Sequence, residues 1–577
     1  MMVISTTPTS ATSGSNAGDR RGFSWKGKTL LSGVDPDGKA RRIAESISVK
    51  DRTLYLCPSP LYGYGLECLL ERIAGFPNSA LLCIEAEPEL FALAQEHISA
   101  PLKSSPKLRL TDRCDAGTLC ALLRQEWGPR FFRRVELVRL NGGWQLQQTL
   151  YDMLAESLRR EIALDWGNAI TLTKLGRRYI RNALRNLPLI PRCNSLEQLN
   201  FGGGPALVLG AGPSLDPFLD GLQSRFGALG LPQERPFRII CVDTCLTSLR
   251  ERGITPDLAV ILECQHWNLD DFAGLSGWNV PAALDLSALP RSGAVLSGGL
   301  FLFFTPWTTL KIFERLAAAD LLPPRLPPLG SVGLSAAAIA RRLTQGPIIT
   351  AGLDFSFTPD SYHARSTPGH KSKLRRQTRF TGILNADAAF GAAVTGAVSK
   401  TGAAVLSTPA MRNYRDLFER EFGGMAHNGS RFYDIEGSGL PLGVNTLSPE
   451  AAFDMLSEER NLTTEYTEFH GEEIELVSKP PCTPWSINLE KFIKDEQNRL
   501  MRLRDMLTGA VAMDGDALAA LIDECDYLWA HFPDYAGTDR RPDKAALSGG
   551  AALSFLNRLR VEIDPFLKLW ELITPRL

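Results

Sequence analysis

The chain contains 577 residues, of which 44% are hydrophobic and 22% are charged, and its formal net charge is −1. This composition is that of an ordinary globular protein with room for about three or four domains. It lacks the basic excess of a typical nucleic-acid binder, so no nucleic-acid partner is expected. The 11 cysteines form no C-x-x-C pair, and no apolar run is long enough to cross a membrane. We therefore expect free thiols, no membrane span and a cytoplasmic location.

The first 195 residues separate into two segments. Residues 1–50 are polar and lack the apolar region of a secretory signal, which predicts a disordered leader. Residues 51–195 alternate strand and helix patterns, which predicts a small parallel α/β domain. Glu85 or Glu87, at the end of its second strand, resembles the ribose-binding acid of a Rossmann unit. The alternative is an acid that only faces solvent, because the turn before it lacks G-x-G-x-x-G.

A basic amphipathic helix closes this segment. The stretch LTKLGRRYIRNALRNLPLI places four arginines at helical spacing, which suits either a solvated face or a contact with the next domain. The four are Arg177, Arg178, Arg181 and Arg185.

The stretch PALVLGAGPSLDPFL, residues 205–219, predicts an anion-binding turn between a strand and a helix. Residues 206–209 form an apolar run typical of a buried parallel strand. Glycines after it allow a tight turn and a close approach of backbone N–H groups to a ligand, and the start of the following helix favours negative charge. Asp216 followed by Pro217 predicts the N-cap and first helical position. The predicted cradle consists of Gly210, Gly212, Pro213 and Ser214.

Two further strands end in polar residues. Strand 238–242 ends at Asp243 and Thr244, and strand 258–262 ends at Glu263. In an open α/β sheet the ligand lies beyond the carboxyl ends of the strands, so these side chains are expected to meet the turn in one crevice. Each acid taken alone is compatible with a solvated strand end.

The next stretch adds a second candidate cradle and a polar loop. Ser331, within the glycine turn 330–333, precedes a helix of small residues predicted over 332–342. A strand over 347–350 leads into the loop AGLDFSFTPDSYHARSTPGHK. Long loops of this kind often serve as lids, and the loop histidines His363 and His370 are candidate acid/base groups beside the crevice. The remaining residues, 446–577, carry helical periodicity and predict a helical C-terminal domain after a central domain at 196–445.

Taken in order, these motifs resemble a known family. The stretches GAGPSLD, VDTCLTSLRERGITPD, GSVGLSAAAIA and AGLDFSFTPDSYHA resemble the motility-associated factor (Maf) proteins, which are flagellin glycosyltransferases. That family shares its central domain with the archaeal MptE-like hydroxymethylpterin diphosphokinases, and the domain is similar in turn to bacterial sialyltransferases. The resemblance covers roughly residues 50–450. It implies a central Rossmann-like, GT-A-like domain of the sialyltransferase type.

The sialyltransferase pattern implies particular roles. Those enzymes use CMP-sialic acid and carry a Gly-hydrophobic-Asp-Phe strand end, a loop tyrosine, and a Gly-His whose histidine is the general base. Here Gly352 and Asp354 belong to the strand end, Tyr362 matches the tyrosine, and His370 matches the base, with His363 as the other candidate. A second tyrosine that contacts phosphate in those enzymes falls near Ser356, which puts that contact in doubt.

The implied reaction moves a nonulosonic acid, of the pseudaminic or legionaminic type, from CMP to Ser or Thr of flagellin. Asp243 and Glu263 replace two asparagines of the sialyltransferases and are expected to bind ribose or cytosine. CMP carries one phosphate and there is no D-x-D signature in a suitable place, so no metal site is predicted, no cofactor is required and Mg²⁺ is at most an aid.

Two alternatives stay open. The first is transfer of a pyrophosphoryl group from ATP to a hydroxymethylpterin, with Mg²⁺ held by Asp243, Glu263 and Asp354. The second is a flagellin-binding accessory protein without catalytic activity.

Overall fold

The computed structural model describes residues 23–230, 235–380, 393–423, 431–457, 483–509, 515–537 and 550–574. The chain divides into two compact units. We call Met1–Lys174 with His531–Arg541 the N-terminal unit, and Leu175–Ala530 with Pro542–Leu577 the central unit. None of the described helices is long and apolar enough to cross a membrane.

The N-terminal unit contains a parallel four-stranded sheet with the strand order β5-β4-β3-β6 and a separate antiparallel pair, β1-β2. Its strands are β1 (Phe23–Trp25), β2 (Lys28–Leu31), β3 (Thr53–Pro58), β4 (Ala80–Ile84), β5 (Leu108–Thr111) and β6 (Arg134–Leu137). Its helices are α1 (Pro36–Ser46), α2 (Leu66–Ile73), α3 (Pro88–His97), α4 (Ala100–Lys103) and α5 (Ala116–Trp127). Helix α6 (Gln148–Asn186) contains the boundary between the units.

Strands β3 and β4 are completely buried because apolar clusters cover both faces of the sheet. Continuous apolar runs are what this two-sided burial requires of a parallel strand.

The structure bears on only part of the leader that was predicted to be disordered over residues 1–50. Residues 1–22 lie outside the described residues, and from Phe23 onward the chain forms β1, β2 and α1, so the prediction was wrong there. The alanines of α1 pack into the core, which explains the order.

The central unit is built around a nine-stranded sheet in which every neighbouring pair is parallel. Its strand order is β17-β16-β13-β8-β9-β10-β11-β12-β7. These strands are β7 (Asn194–Ser195), β8 (Ala206–Leu209), β9 (Arg238–Val242), β10 (Leu258–Ile261), β11 (Ala282–Asp285), β12 (Leu300–Phe303), β13 (Ile348–Ala351), β16 (Phe432–Ile435) and β17 (Asn445–Leu447). A separate hairpin pairs β14 (Thr395–Val398) with β15 (Ala404–Ser407).

The helices that follow the strands pack on this sheet or extend beyond it. They are α7 (Leu215–Phe226), α8 (Leu246–Glu251), α9 (Lys311–Ala318), α10 (Val332–Leu343), α11 (Pro368–Arg376), α12 (Pro409–Phe418) and α13 (Pro449–Ser457). The described residues after α13 contain three more helices: α14 (Thr483–Thr508), α15 (Gly515–Glu524) and α16 (Gly550–Ile573). Helix α14 packs on α15 and α16, and its buried Glu496 pairs with Arg315 of α9 at 2.6 Å.

The predicted α/β class with a helical C-terminal region is confirmed. The strands predicted over 206–209 and 238–242 have these bounds in the structure, and the helix predicted over 332–342 ends one residue later. Small side chains let α10 lie close to β8, β9, β10 and β13, and nine of its twelve residues are buried. The domain boundaries at 50, 195 and 445 stay a prediction.

Candidate functional site

The direction in which strands are added to the central sheet reverses between β8 and β13. From β8 the chain adds β9, β10, β11 and β12 on one side, whereas β13, β16 and β17 lie on the other. In a doubly wound sheet such a reversal opens a crevice at the carboxyl ends of the two strands, and ligands bind there. The predicted GAGPSLD turn follows β8 and the predicted Gly-Leu-Asp-Phe segment follows β13. The fold therefore brings together the two motifs that the sequence singled out.

The backbones of the two turns touch, and this contact requires glycine. The amide of Gly210 donates to the carbonyl of Ala351, and that of Gly212 donates to the carbonyl of Gly352, each at 2.8 Å. A Cβ on Gly210 would overlap the Gly352 carbonyl, and one on Gly352 would overlap the Gly210 carbonyl. Gly352 also has a φ of 74°, which disfavours other residues. The glycines therefore allow the two turns to contact each other, which is a structural role in addition to the ligand binding predicted for them.

Asp354 occupies the position where the sequence predicted a bound phosphate. Its side chain is 2% exposed, and it accepts hydrogen bonds from the amide of Ser214 at 2.8 Å and from the Ser214 hydroxyl at 2.5 Å. A Cβ on Gly212 would overlap this carboxylate. Because both donors of Ser214 and the space beside Gly212 are taken, the turn binds an anion supplied by the chain itself. We call this contact the Ser214–Asp354 clasp.

The positive charge of a buried lysine offsets the negative charge of the clasp. The side chain of Lys400 is 4% exposed, and it donates to Asp434 at 2.6 Å and to the carbonyl of Ile435 at 2.8 Å. Burial raises the pKa of Asp354 and the positive charge of Lys400 lowers it, with a net upward shift. Burial likewise raises the pKa of Asp434 to about 6. Sequence reasoning missed Lys400 and Asp434 because they lie more than 30 residues apart in a stretch without a recognisable motif.

The turn also anchors the loop that carries the histidines. The amide of Ala364 donates to the carbonyl of Ala211 at 2.9 Å, and the amide of Arg365 donates to Asp216 at 2.8 Å. Asp216 also accepts from the Arg252 guanidinium at 2.7 Å. The prediction that Asp216 is the N-cap of α7 was wrong, since α7 begins at Leu215 and Asp216 lies in its first turn.

The two histidines differ in their surroundings. Burial, and then the charge of Lys373, lowers the pKa of His363 to about 4. Its ring meets that of Tyr362 edge to face, with the centroids 4.8 Å apart, and burial raises the pKa of Tyr362. His370 lies in the first turn of α11, where its Nδ1 accepts the amide of Ser366 at 3.3 Å. The neutral His370 ring therefore carries its proton on Nε2.

Asp243, at the end of β9, belongs to a buried polar cluster. It accepts from the Asn268 amide at 2.7 Å and from the Thr244 backbone amide at 2.9 Å. Asn268 also donates to Asp271 at 3.2 Å, so one amide bridges two carboxyl groups. Burial raises the pKa of Asp243 to about 6. Burial and the nearby Asp243 raise the pKa of Asp271 to about 7.

Glu263 and two tyrosines extend this edge of the crevice. Glu263, at the end of β10, is exposed and accepts from the amide of Gln265 at 2.9 Å. Burial raises the pKa of Tyr414 of α12 and that of Tyr179 of α6, and Glu263 adds to both shifts. All three side chains therefore lie within electrostatic reach of one another. The sequence pattern did not indicate the two tyrosines, because neither lies at a strand end.

The N-terminus of α10 supplies the second predicted cradle. Ser331 precedes the helix, and its side chain caps no backbone amide. The first amides of a helix have no partner within it. A Cβ on Gly330 would contact the ring of Tyr414, and one on Gly333 would overlap the side chain of Leu353. This cradle therefore opens beside the turn that follows β13.

Two further predictions bear on ligand contacts. The hydroxyl of Ser356 donates to the carbonyls of Asp354 and Ser438, so it stabilises the backbone of the loop. For a metal, the described residues contain no group of three His, Cys, Asp or Glu side chains that is suited to hold an ion. The diphosphokinase alternative requires Asp354, Asp243 and Glu263 to hold Mg²⁺ together. Asp354 instead accepts hydrogen bonds from Ser214.

In the N-terminal unit, the acids singled out at the second strand end are occupied. Glu85 is buried and accepts from the Ser59 hydroxyl at 2.6 Å, the Glu87 amide at 3.0 Å and the Tyr151 hydroxyl at 3.3 Å. Glu87 pairs with Lys26 at 2.7 Å. The sequence predicted either a ribose ligand or a solvated strand end at Glu85. In the structure this carboxylate is buried and contacts donors of the protein instead.

Comparisons with known proteins agree with the architecture. Residues 181–360 match the family model described as 6-hydroxymethylpterin diphosphokinase MptE-like. This region is therefore similar to an MptE-like domain. The matched region includes β8 to β13, so it contains both turns of the clasp and most of the crevice.

Two proteins are similar over nearly the whole chain. An uncharacterized protein of Treponema pallidum (strain Nichols) is 28% identical over 545 residues, which cover 92% of this chain and 90% of that protein. The solved structure of a Maf glycosyltransferase from Magnetospirillum magneticum AMB-1 has the same fold with a TM-score of 0.52 at 13% identity. That alignment covers 96% of this chain and 90% of the other. The predicted resemblance, a Maf-like fold around an MptE-like domain, is confirmed.

Proposed function

We propose that this chain is a glycosyltransferase that moves a nonulosonic acid from CMP to a Ser or Thr hydroxyl of flagellin in the cytoplasm and so supports flagellar assembly. The observation that carries the proposal is the crevice at the β8–β13 reversal. A histidine-bearing loop is anchored there to the turn after β8, and the uncapped N-terminus of α10 lies beside the turn after β13. The Maf-like fold supports the reaction class, and the resemblance of the motifs to CMP-dependent sialyltransferases supports the donor.

The phosphate of the donor binds at the N-terminus of α10 in this proposal, because the clasp has already filled the turn before α7 with Asp354. Uncapped amides and the helix dipole stabilise the charge that develops on the departing phosphate. The phenol of Tyr414, close to Gly330, is a further donor at the same place. Ser214 then shapes the site through the clasp.

The chemical step joins the acceptor oxygen to the anomeric carbon of the sugar. The bond from that carbon to the phosphate oxygen breaks, and CMP leaves with the electron pair. The proton of the acceptor hydroxyl passes to a histidine of the loop. His363 is neutral above its pKa of about 4 and is able to accept a proton. His370 accepts one only after its Nδ1 leaves the amide of Ser366.

The acids beyond β9 and β10 face the nucleoside. Carboxylates accept hydrogen bonds from ribose hydroxyls and from the exocyclic amine of cytosine. Glu263 is exposed toward the crevice edge, and Asp243 lies behind it with Asn268. Their negative charge opposes a phosphate at the same position, which supports a phosphate position at the N-terminus of α10 instead.

Binding measurements test the proposal directly. Isothermal titration of the full chain with CMP is expected to give saturable binding, and titration with ATP and Mg²⁺ is not. A second candidate, pyrophosphoryl transfer to a hydroxymethylpterin, is favoured by the description of the matching family model. Tight ATP–Mg²⁺ binding without binding of CMP would establish that candidate instead.

Activity in cells provides the second test. Intact-mass analysis of flagellin from a deletion strain is expected to show the loss of one or more nonulosonic acid masses. Complementation with His363→Ala and with His370→Ala identifies the base, since only the base variant abolishes transfer while CMP still binds. Full glycosylation in both variants overturns the assignment of the base. Unchanged flagellin in the deletion strain would favour an accessory role.

A further inference from the structure

One face of helix α6 is tied to the carboxyl edge of the central sheet. Asn182 donates to the carbonyls of Cys264 and Ser287, and Asn186 donates to those of Leu286 and Ala288, at 2.9–3.2 Å. The two asparagines are four residues apart, and residues at this spacing share a helix face. Arg178 precedes Asn182 by four residues, so it continues the same row beside the loop that follows β10.

Gln265 holds Arg178 next to a tryptophan. The side-chain oxygen of Gln265 accepts from the Arg178 guanidinium at 3.5 Å and from the indole N–H of Trp267 at 3.1 Å. Asn268, in the same short segment, is fixed by Asp243 and Asp271. The segment that carries the tryptophan is therefore anchored at both ends.

The two side chains that Gln265 orients are open to a ligand. The side chain of Trp267 is 72% exposed, although an indole is among the largest apolar groups a protein can bury. Arg178 is also exposed, and within the described part of the chain it forms no ion pair. The guanidinium of Arg178 and the indole of Trp267 are therefore exposed, oriented and adjacent. Such a pair is suited to a ligand that presents an anionic group to the guanidinium and an apolar face to the indole.

We propose that Arg178 and Trp267 form a subsite for the carboxylate-bearing sugar ring of the donor. The guanidinium pairs with the sugar carboxylate, and the indole covers the C–H face of the ring. This inference rests on the proposed function, because it says where the sugar of that donor lies.

Binding of N-acetylneuraminic acid, used as a probe for a nonulosonic acid, tests the subsite by saturation-transfer NMR on the full chain. Arg178→Met is expected to weaken binding of the acid about tenfold or more, since a charge-assisted pair is lost, and to leave CMP binding unchanged. The methyl ester of the probe is expected to bind the unmodified chain as weakly as the acid binds Arg178→Met. Trp267→Ala weakens acid and ester alike, and Trp267→Phe retains most of the binding.

The matched control is Arg185→Met, which removes an exposed arginine from the same helix and leaves Gln265 untouched. It is expected to bind the acid normally. Equal weakening by the two arginine variants would mean a nonspecific charge effect, and equal weakening of CMP by Arg178→Met would make Arg178 a phosphate contact. Either result overturns the subsite, as does the absence of acid binding by the unmodified chain. If the acid binds in an Arg178-dependent manner and CMP does not bind, the subsite stands and the proposed function fails.

Discussion

The two units contain sheets that carry the same sequence signal, and they use it differently. In each, a buried parallel strand leads through a glycine-containing turn into a helix, and the next strand ends at an acid: Glu85 in the N-terminal unit and Asp243 in the central unit. Three donors of the N-terminal unit saturate Glu85. Asp243 accepts from Asn268 and from the amide of Thr244, but the Asn268 amide is shared with Asp271, and the exposed Glu263 follows on the adjacent strand.

The difference lies in what fills the space beyond the strand ends. In the N-terminal unit two hydroxyl groups and one backbone amide of that unit donate to the acid. In the central unit the reversal between β8 and β13 leaves a crevice, and the clasp fills only its α7 side. An acid at a strand end therefore indicates a site only when the topology keeps the neighbouring space open.

The largest effect is expected from removing the buried lysine of the central unit. Lys400→Met leaves Asp434 and Asp354 without their counter-charge, and breaking a buried ion pair typically destabilises a protein by about 3–5 kcal/mol. Hydrogen exchange of peptides from β13 and β16, followed by mass spectrometry, measures the loss. The double variant Lys400→Met with Asp434→Asn is expected to recover part of it, since the uncompensated charge is gone. Unchanged exchange in the single variant would show that Lys400 does not stabilise this edge.

A smaller loss is expected from Gly212→Ala. The added Cβ overlaps the Asp354 carboxylate and the Gly352 carbonyl, and overpacking of this kind costs about 1–3 kcal/mol. Gly203→Ala is the matched control, because its Cβ would meet no atom. The apparent unfolding temperature of the two variants separates them. Equal temperatures would mean that the clasp has room for a side chain.

The acidic cluster predicts a pH dependence. The pKa of Asp271 is about 7 in the folded chain against 3.8 in the unfolded chain, so the folded state holds a proton that the unfolded state has released. This contribution to stability is complete below pH 3.8 and is lost as the pH rises through 7. Asp271→Asn has no proton to lose, so its stability relative to the unmodified chain is expected to rise between pH 5 and pH 8. Unfolding midpoints in denaturant at both pH values provide the check; parallel shifts in the two proteins would contradict it.

The smallest effect is expected in the N-terminal unit. Glu85→Gln keeps an acceptor for Tyr151 and the Glu87 amide, and its new NH₂ group donates to the Ser59 hydroxyl. We expect the free energy of unfolding to change by about 1 kcal/mol or less, and the affinity for CMP to stay constant. A lost CMP affinity would instead make Glu85 a ligand group and remove the contrast between the two sheets.

Much of the fold could be predicted from the sequence because parallel strands buried on both faces leave continuous apolar runs. Strands β8 and β9 and helix α10 are examples. Strand β7 has only two residues and β17 three, too short for a pattern to stand out. The 39 residues of α6 were not recognised as one helix, because only the basic stretch in which it ends carried a clear helical pattern.

The candidate site was predicted in part. The strand-end residues were found because a parallel sheet gathers its carboxyl ends at one edge. The sequence predicted a phosphate as the partner of Ser214, whereas in the structure Asp354 accepts its hydrogen bonds. A sequence does not reveal that a residue 140 positions later contacts the donors of the turn. Tyr179 lies on a helix that precedes the sheet, and Lys400 lies in the loop of the β14–β15 hairpin. Neither position carries a local signal.

The clasp also has a consequence for the order in which the protein folds. It joins residues that are 140 positions apart, so it cannot form until that much chain has followed Ser214 out of the ribosome. At about 5–20 residues per second, the delay is roughly 7–28 s. During synthesis the turn before α7 therefore presents its amides without their own carboxylate. The amides of Gly210 and Gly212 wait in the same way, since their acceptors, the carbonyls of Ala351 and Gly352, lie about as far along the chain.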